Sequence, residues 1–499
     1  MDVVVTAPTA SQPAPPPDTR ELDRSLVRGV AWTGAFKWLS QIVTWLGTIV
    51  VARLLTPQDY GLVGMATVYL GLTALITEFG LGSAIVALRE LGKREIAQLN
   101  AVALMIGGGA MLLSWGVAVP LASFFRAPEL RAIVMVLSAT FLIDSLRTVP
   151  NALLTRDLRF KSLALLEGAK AVFTMTLTIV LAALGMRYWA LVFGGLAGSV
   201  FWTMAILSRR THPFAWPQLR LLRSSLGFST QIIIERVAWY GYSNADFLVA
   251  GRVLGAVPLG NYTTAWTLAS LPGEKIMSMF WRVMPAVFSA VKTDMAALRR
   301  YVLLMSEALA MALFPATVGL ALVAPEFVVA LLGPKWIGAI VPLRLLCVYA
   351  TMHMISTVLP HVLIVTNQVR FATKLALAAL VTLPPAFWVF GRTWGVAGIA
   401  AAWLVVYPFI LGALFHRAFR TVSLTARAYL RALWPAVSTT LVMVAVVAAA
   451  RAIMPDSWPA LARLVTASSL GAAAYLGAAW LWHGPRIRGL IGMLRATRG

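Results

Sequence analysis

WGVAGIAAAWLVVYPFILGALF, residues 394–415, runs for 22 residues without one charged side chain. A helix of that length rises about 33 Å at 1.5 Å per residue, enough to cross the hydrocarbon core of a bilayer. Thirteen further apolar runs surround it: 30–52, 61–86, 100–121, 131–150, 164–185, 188–208, 225–250, 259–286, 301–324, 340–365, 375–391, 433–453 and 461–482. None alternates with period two, and a backbone in lipid must satisfy its own hydrogen bonds, so helices are expected rather than a barrel. The predicted fold is an all-α polytopic membrane protein of about 14 transmembrane helices. Composition agrees: 60% of the 499 residues are hydrophobic and 12% charged, where a soluble domain carries about a quarter charged.

The net charge of +23 would suggest a nucleic-acid partner in a soluble protein. Here it is a topology signal. One set of loops, from Arg20 through Arg89, Arg156, Arg209, Lys292, Arg370 and Arg417 to Arg498, carries 26 Lys and Arg; the opposite set carries nine. The positive-inside rule then puts both termini in the cytoplasm, with membrane lipids as partners and no nucleic acid. The first residues hold five prolines without helical period, and 1–24 read as a disordered cytoplasmic tail. Residues 483–499 read as a basic cytoplasmic tail.

The chain lacks enzyme and cofactor signatures. Cys347 is the single cysteine, the five histidines have no metal-ligand spacing, and no phosphate-binding glycine loop occurs. No cofactor, metal or catalytic residue is expected.

A repeat appears at an offset of 199. Arg53-Leu54-Leu55 with Gly61 matches Arg252-Val253-Leu254 with Gly260, and the same register sets Lys37 on Arg236. Gly185 to Trp189 resembles Gly391 to Trp394 at a nearby offset. Each copy holds six spans, so both run the same way through the membrane. The expected organisation is two pseudo-symmetric six-helix lobes, 25–208 and 225–415, followed by two helices in 433–482.

Seven bases and seven acids fall inside spans, each costing about 3 kcal/mol at the bilayer centre on insertion scales. Asp144/Arg147 and Glu167/Lys170 have i,i+3 spacing near cytoplasmic ends and read as structural pairs. Spans 1 and 7 carry polar stripes: Thr33, Lys37, Gln41, Thr44 and Thr48 in one, Gln231, Glu235, Trp239, Tyr242 and Asp246 in the other, with Arg236, Tyr240 and Ser243 alongside. The stripes suit a central aqueous cavity; a buried polar seam between helices is the alternative. Candidate substrate-binding residues are Lys37, Arg236, Arg53, Arg252, Gln41 and Tyr240. Candidate ion-coupling acids are Asp246, Glu78, Glu235 and Glu274, with Asp246 first; an Asp246–Arg252 brace is the competing view.

ARLLTPQDYGLVGMATV (52–68) and DFLVAGRVLGAVPLGNYTTAWTL (246–268), with EFGLGSAIV (78–86), RDLRFK (156–161) and LLGPKW (331–336), resemble the polysaccharide transporter family. These are Wzx-type flippases of lipid-linked oligosaccharides, in the superfamily that includes multidrug and toxin extruders and lipid II flippases. The resemblance covers about residues 25–480. It implies two six-helix lobes in a V, two additional helices, and alternating access driven by an ion gradient. It also implies a substrate, undecaprenyl-pyrophosphate-linked oligosaccharide for lipopolysaccharide or exopolysaccharide, with polysaccharide polymerase and export machinery as partners. The family has no catalytic motif to carry over, so the site residues rest on position and charge. A multidrug antiporter is the alternative, supported by Glu78, Glu235 and Asp246. A membrane glycan polymerase or glycosyltransferase fits less well, because the outer connections are short and hold few acids.

Overall fold

The computed structural model describes residues 41, 43–77, 85, 92–157, 159–216, 230–291, 294–455 and 457–496. Among the described residues every regular element is helical. In chain order they are α1 (Val43–Leu54), α2 (Pro57–Thr77), α3 (Lys93–Phe125), α4 (Glu129–Leu137), α5 (Ala139–Arg156), α6 (Phe160–Ala183), α7 (Tyr188–Leu207), α8 (Thr230–Ser243) and α9 (Ala245–Leu254). Then come α10 (Ala256–Ala290), α11 (Met295–Leu322), α12 (Ala324–Phe327), α13 (Ile340–Ser356), α14 (Val358–Val365), α15 (Val369–Thr421), α16 (Ala426–Ile453) and α17 (Ala460–Ala496). Nine described helical stretches are long and apolar enough to cross a membrane. Large apolar side chains such as Leu112, Val381, Phe409 and Leu481 face outward, as a lipid-solvated bundle requires.

The helices depart from the expected spans where the backbone bends. Runs 131–150, 225–250 and 340–365 are interrupted at Ser138, Asn244 and Thr357. The runs 375–391 and 394–415, by contrast, stay two helices: α15 is divided by a kink at Gly395, which is non-helical at φ 60°. A positive φ suits glycine because it has no Cβ to clash. The C-terminal stretch bends at His483 and stays helical to Ala496. The expected tail 1–24 lies outside the described residues.

One apolar core, running from Ala52 and Met65 through Phe125 and Tyr262 to Trp403, joins early and late helices. The broadest contact between them is α2 against α10. This crossing is reciprocal: a Cβ on Gly61 would overlap the Ala256 carbonyl, and one on Gly260 would overlap the Pro57 carbonyl. Pro57 and Ala256, like Gly61 and Gly260, stand 199 residues apart, so repeat partners exchange roles. α16 packs on α11, and Tyr475 of α17 donates to the Met311 carbonyl at 2.6 Å.

Candidate functional site

The start of α2 is built by its own sequence. The Thr56 backbone N–H and hydroxyl donate to the Asp59 carboxylate at 2.9 and 2.6 Å, and Pro57 stands where a helix needs no N–H. Asp59, fully buried, also accepts from the Tyr188 N–H at 3.1 Å and faces Arg187 at 3.6 Å. The TPQD segment thus fastens α2 to α7.

LLGPKW closes the end of α1. Gly333 turns at φ 99°, so that Lys335 Nζ donates to the Arg53 carbonyl at 2.7 Å and buried Trp336 Nε1 to the Ala52 carbonyl at 2.9 Å. Those carbonyls belong to the last turn of α1, where no intrahelical donor remains. Arg53 donates in return to the carbonyls of Ala330 and Leu331. Its repeat partner Arg252 lies over the Phe124 ring, 5.3 Å from the centroid. Both cations therefore brace the Arg53 end of the bundle, joining early helices to late ones.

Asp246, in the first turn of α9, is completely buried. Its Oδ2 accepts from the Tyr262 hydroxyl at 2.6 Å and from Trp403 Nε1 at 3.1 Å, and Oδ1 accepts from the Phe247 N–H at 2.9 Å. Aromatic rings enclose it, with Trp266, Tyr349, Phe387 and Tyr407 packed around Trp403. Among the described residues Asp246 has no cationic partner, and Arg252 is engaged elsewhere. Beside this cage the half-buried His353 Nδ1 meets the Tyr407 hydroxyl at 2.7 Å.

A cavity of about 310 Å³ opens between α2, α3 and α5. Its lining includes Thr67, Thr77, Thr140, Phe141, Asp144, Ser145, Arg147 and Thr148. Arg147 pairs with Asp144 Oδ1 at 3.1 Å through both Nε and Nη2, and the Ser199 hydroxyl donates to the same oxygen. Lys170 lies over the Trp202 ring at 5.7 Å. Tyr240 reaches the cavity wall from the late helices: its hydroxyl donates to the Val68 carbonyl at 2.8 Å and abuts Gly71.

The expected site residues are not gathered in one place. Tyr240 adjoins the cavity, Arg53 and Arg252 sit at one end, Asp246 has its own cage, Gln41 is half-buried and Glu274 is exposed. Lys37 and Glu78 lie outside the described residues, and Arg236 and Glu235 fall on α8 where only the backbone is described. The Asp144–Arg147 pair forms as its spacing predicts, yet it lines a cavity. Thr140, Asp144 and Thr148 at i, i+4 and i+8 carry the stripe signal that singled out spans 1 and 7.

A family model described as polysaccharide biosynthesis protein matches residues 50–341, more than half of the chain. The chain belongs to that polysaccharide biosynthesis family. The matched region takes in the Arg53 end, the cavity, α8 to α11 and LLGPKW. Among curated relatives, the lipopolysaccharide biosynthesis protein WzxC of Escherichia coli (strain K12) is 24% identical, with 77% of this chain and 79% of that one covered. The teichuronic acid biosynthesis protein TuaB of Bacillus subtilis (strain 168) is 23% identical over 70% and 73%. Among solved structures, the lipid II flippase MurJ in an inward closed conformation superimposes with a TM-score of 0.73 at 13% identity, covering 92% of this chain and 100% of that one. That similarity shows a shared fold, and with it a polytopic membrane protein of the same architecture as a known flippase.

Proposed function

We propose that this chain is a flippase that moves undecaprenyl-pyrophosphate-linked oligosaccharide from the cytoplasmic to the periplasmic leaflet of a bacterial inner membrane, for lipopolysaccharide or exopolysaccharide synthesis. The observation that carries the reading is a charged, hydroxyl-lined cavity inside an apolar helical bundle of the polysaccharide biosynthesis family. The names of WzxC and TuaB, and the fold of a lipid II flippase, support it. The activity is transport, with no chemical step on the glycan. The organisation that goes with it is 14 helices in two six-helix lobes, 25–208 and 225–415, with 433–482 appended and both termini cytoplasmic. Lys37 and Arg236 meet the pyrophosphate, as paired repeat positions, while a polymerase and export machinery receive the product. Ion flow drives the cycle, and Asp246 is the coupling acid: it is a carboxylate held by three neutral donors with no cationic partner among the described residues, so a mobile proton has a seat there.

Deleting the gene and analysing the lipid fraction by mass spectrometry tests the reading. A sugar-bearing undecaprenyl pyrophosphate should accumulate on the cytoplasmic leaflet, protected from added periplasmic glycosidase, and disappear on complementation. Normal export in the deletion strain would refute the flippase.

A further inference from the structure

The hydrogen-bonding inventory of the cavity between α2, α3 and α5 is one-sided. A hydroxyl has a single proton to donate, and five lining hydroxyls each direct theirs to a nearby backbone carbonyl: Thr67 to Gly64 at 2.9 Å, Thr77 to Ala74 at 3.0 Å, Thr140 to Leu137 at the end of α4 at 2.6 Å, Ser145 to Leu142 at 2.7 Å and Thr148 to Asp144 at 3.1 Å. Only their acceptor lone pairs remain for a ligand. Asp144 adds to the same side, since Arg147 and Ser199 both bond to Oδ1 and none of these bonds uses Oδ2. Among the described lining residues the donors come from Arg147, whose guanidinium carries five N–H groups and donates Nε–H to Asp144 with Nη2 in ion-pair contact, while the Lys170 ammonium interacts electrostatically with the same pair from α6.

An ionised phosphate offers acceptors and negative charge, and would meet a carboxylate and five acceptor oxygens. A lipophilic cation would meet the Arg147 guanidinium. A neutral polyol satisfies the wall, because each ring hydroxyl brings a donor for Asp144 Oδ2 and the threonines and an acceptor for Arg147. The apolar face of a sugar ring finds Phe141 and Leu70 on the same lining. The volume is at the small end for a ligand cavity, which suits a sugar unit and not an undecaprenyl chain.

We propose that this cavity is a saccharide subsite, in which Asp144 and Arg147 recognise the hydroxyls of a sugar residue of the transported glycan and set glycan selectivity apart from the pyrophosphate contacts. The proposal rests on the flippase reading and deepens it. Tyr240, bonded to Val68 beside Gly71 on the cavity wall, connects the sugar site to α8 of the late helices.

The test compares two probes on purified protein in nanodiscs: the lipid-linked oligosaccharides extracted from a strain lacking the transporter, and undecaprenyl pyrophosphate without sugar. Asp144→Asn removes the anionic acceptor. Ala74→Leu fills the cavity without touching the ion pair, and it answers alone should Asp144→Asn not fold. Each should weaken binding of the sugar-bearing lipid about tenfold, the size of one charge-assisted hydrogen bond, while binding of the bare pyrophosphate stays within about twofold of wild type. Equal weakening of both probes, or no weakening in folded variants while wild type binds, would overturn the subsite and leave the flippase standing. Wild-type protein that binds neither probe would overturn both.

Discussion

Asp246 keeps its place as a buried carboxyl group because three donors reach it. Two of them, Tyr262 and Trp403, also bond to one another at 3.2 Å. Replacing Trp403 by Phe preserves the ring and removes one N–H from a buried acceptor, a loss of about 1–3 kcal/mol. Thermal unfolding in detergent should show Trp403→Phe less stable by that amount, and Tyr262→Phe likewise. The double variant should lose less than the sum, because the two donors share one network. Asp246→Asn separates function from folding. It should leave the protein folded and able to bind its lipid-linked substrate, yet stop gradient-dependent export; full export by that variant would remove Asp246 from coupling. Sequence alone singled out Asp246 through the stripe of span 7, and Tyr262 stood 16 residues on in the same family-like segment. Trp403 was hidden in plain sight, inside the uncharged run 394–415. Only the fold turns its indole N–H toward an acid 157 positions earlier.

At the scale of helices, apolar length and loop charge made the helical class legible, because both are properties of local sequence. The interruptions at Ser138, Asn244 and Thr357 were not, since hydrophobicity continues unchanged on either side of each. The cavity was missed for a different reason: an i,i+3 ion pair looks the same on a lipid-adjacent interface and on a cavity wall until the facing helices are placed. The glycines of α2 and α10 bring backbone against backbone, so Gly61→Ala and Gly260→Ala each set a methyl group against a carbonyl that no rotamer change can move. Either substitution should destabilise the closed crossing by about 1–3 kcal/mol. Spin labels at the exposed positions Gln58 and Val257 should report a longer distance in both variants, and an unchanged distance would show that the helices absorb the methyl group in place.

Across the whole molecule, contacts joining early to late helices gather toward the Arg53 end, in the α2–α10 crossing and the LLGPKW clasp. At the opposite end the described polar ties stay within each group: Asp157 with Arg210, Asn100 with the His212 carbonyl at 3.1 Å, Arg299 with the Ser423 carbonyl at 3.2 Å, and Gln368 with Arg417 at 2.6 Å. In the proposed topology that end faces the cytoplasm. A fluorescent protein fused after Gly499 should therefore fluoresce, while alkaline phosphatase inserted at the Gly185 turn should be active outside; the reverse pattern would invert the topology.

The reciprocal glycine crossing has a dynamic consequence. Side chains that interlock must change rotamers each time an interface parts, and each such change adds to the barrier. Where two backbones touch with no side chain between them, there is nothing to unlock. The crossing of Gly61 and Gly260 is such a point, defined equally by both repeats, while Thr263 and Leu259 of α10 pack on Gly64 one turn along α2. In the proposed transport cycle such a contact would act as a bearing, with the polar clasp from Arg53 to Trp336 holding its rim.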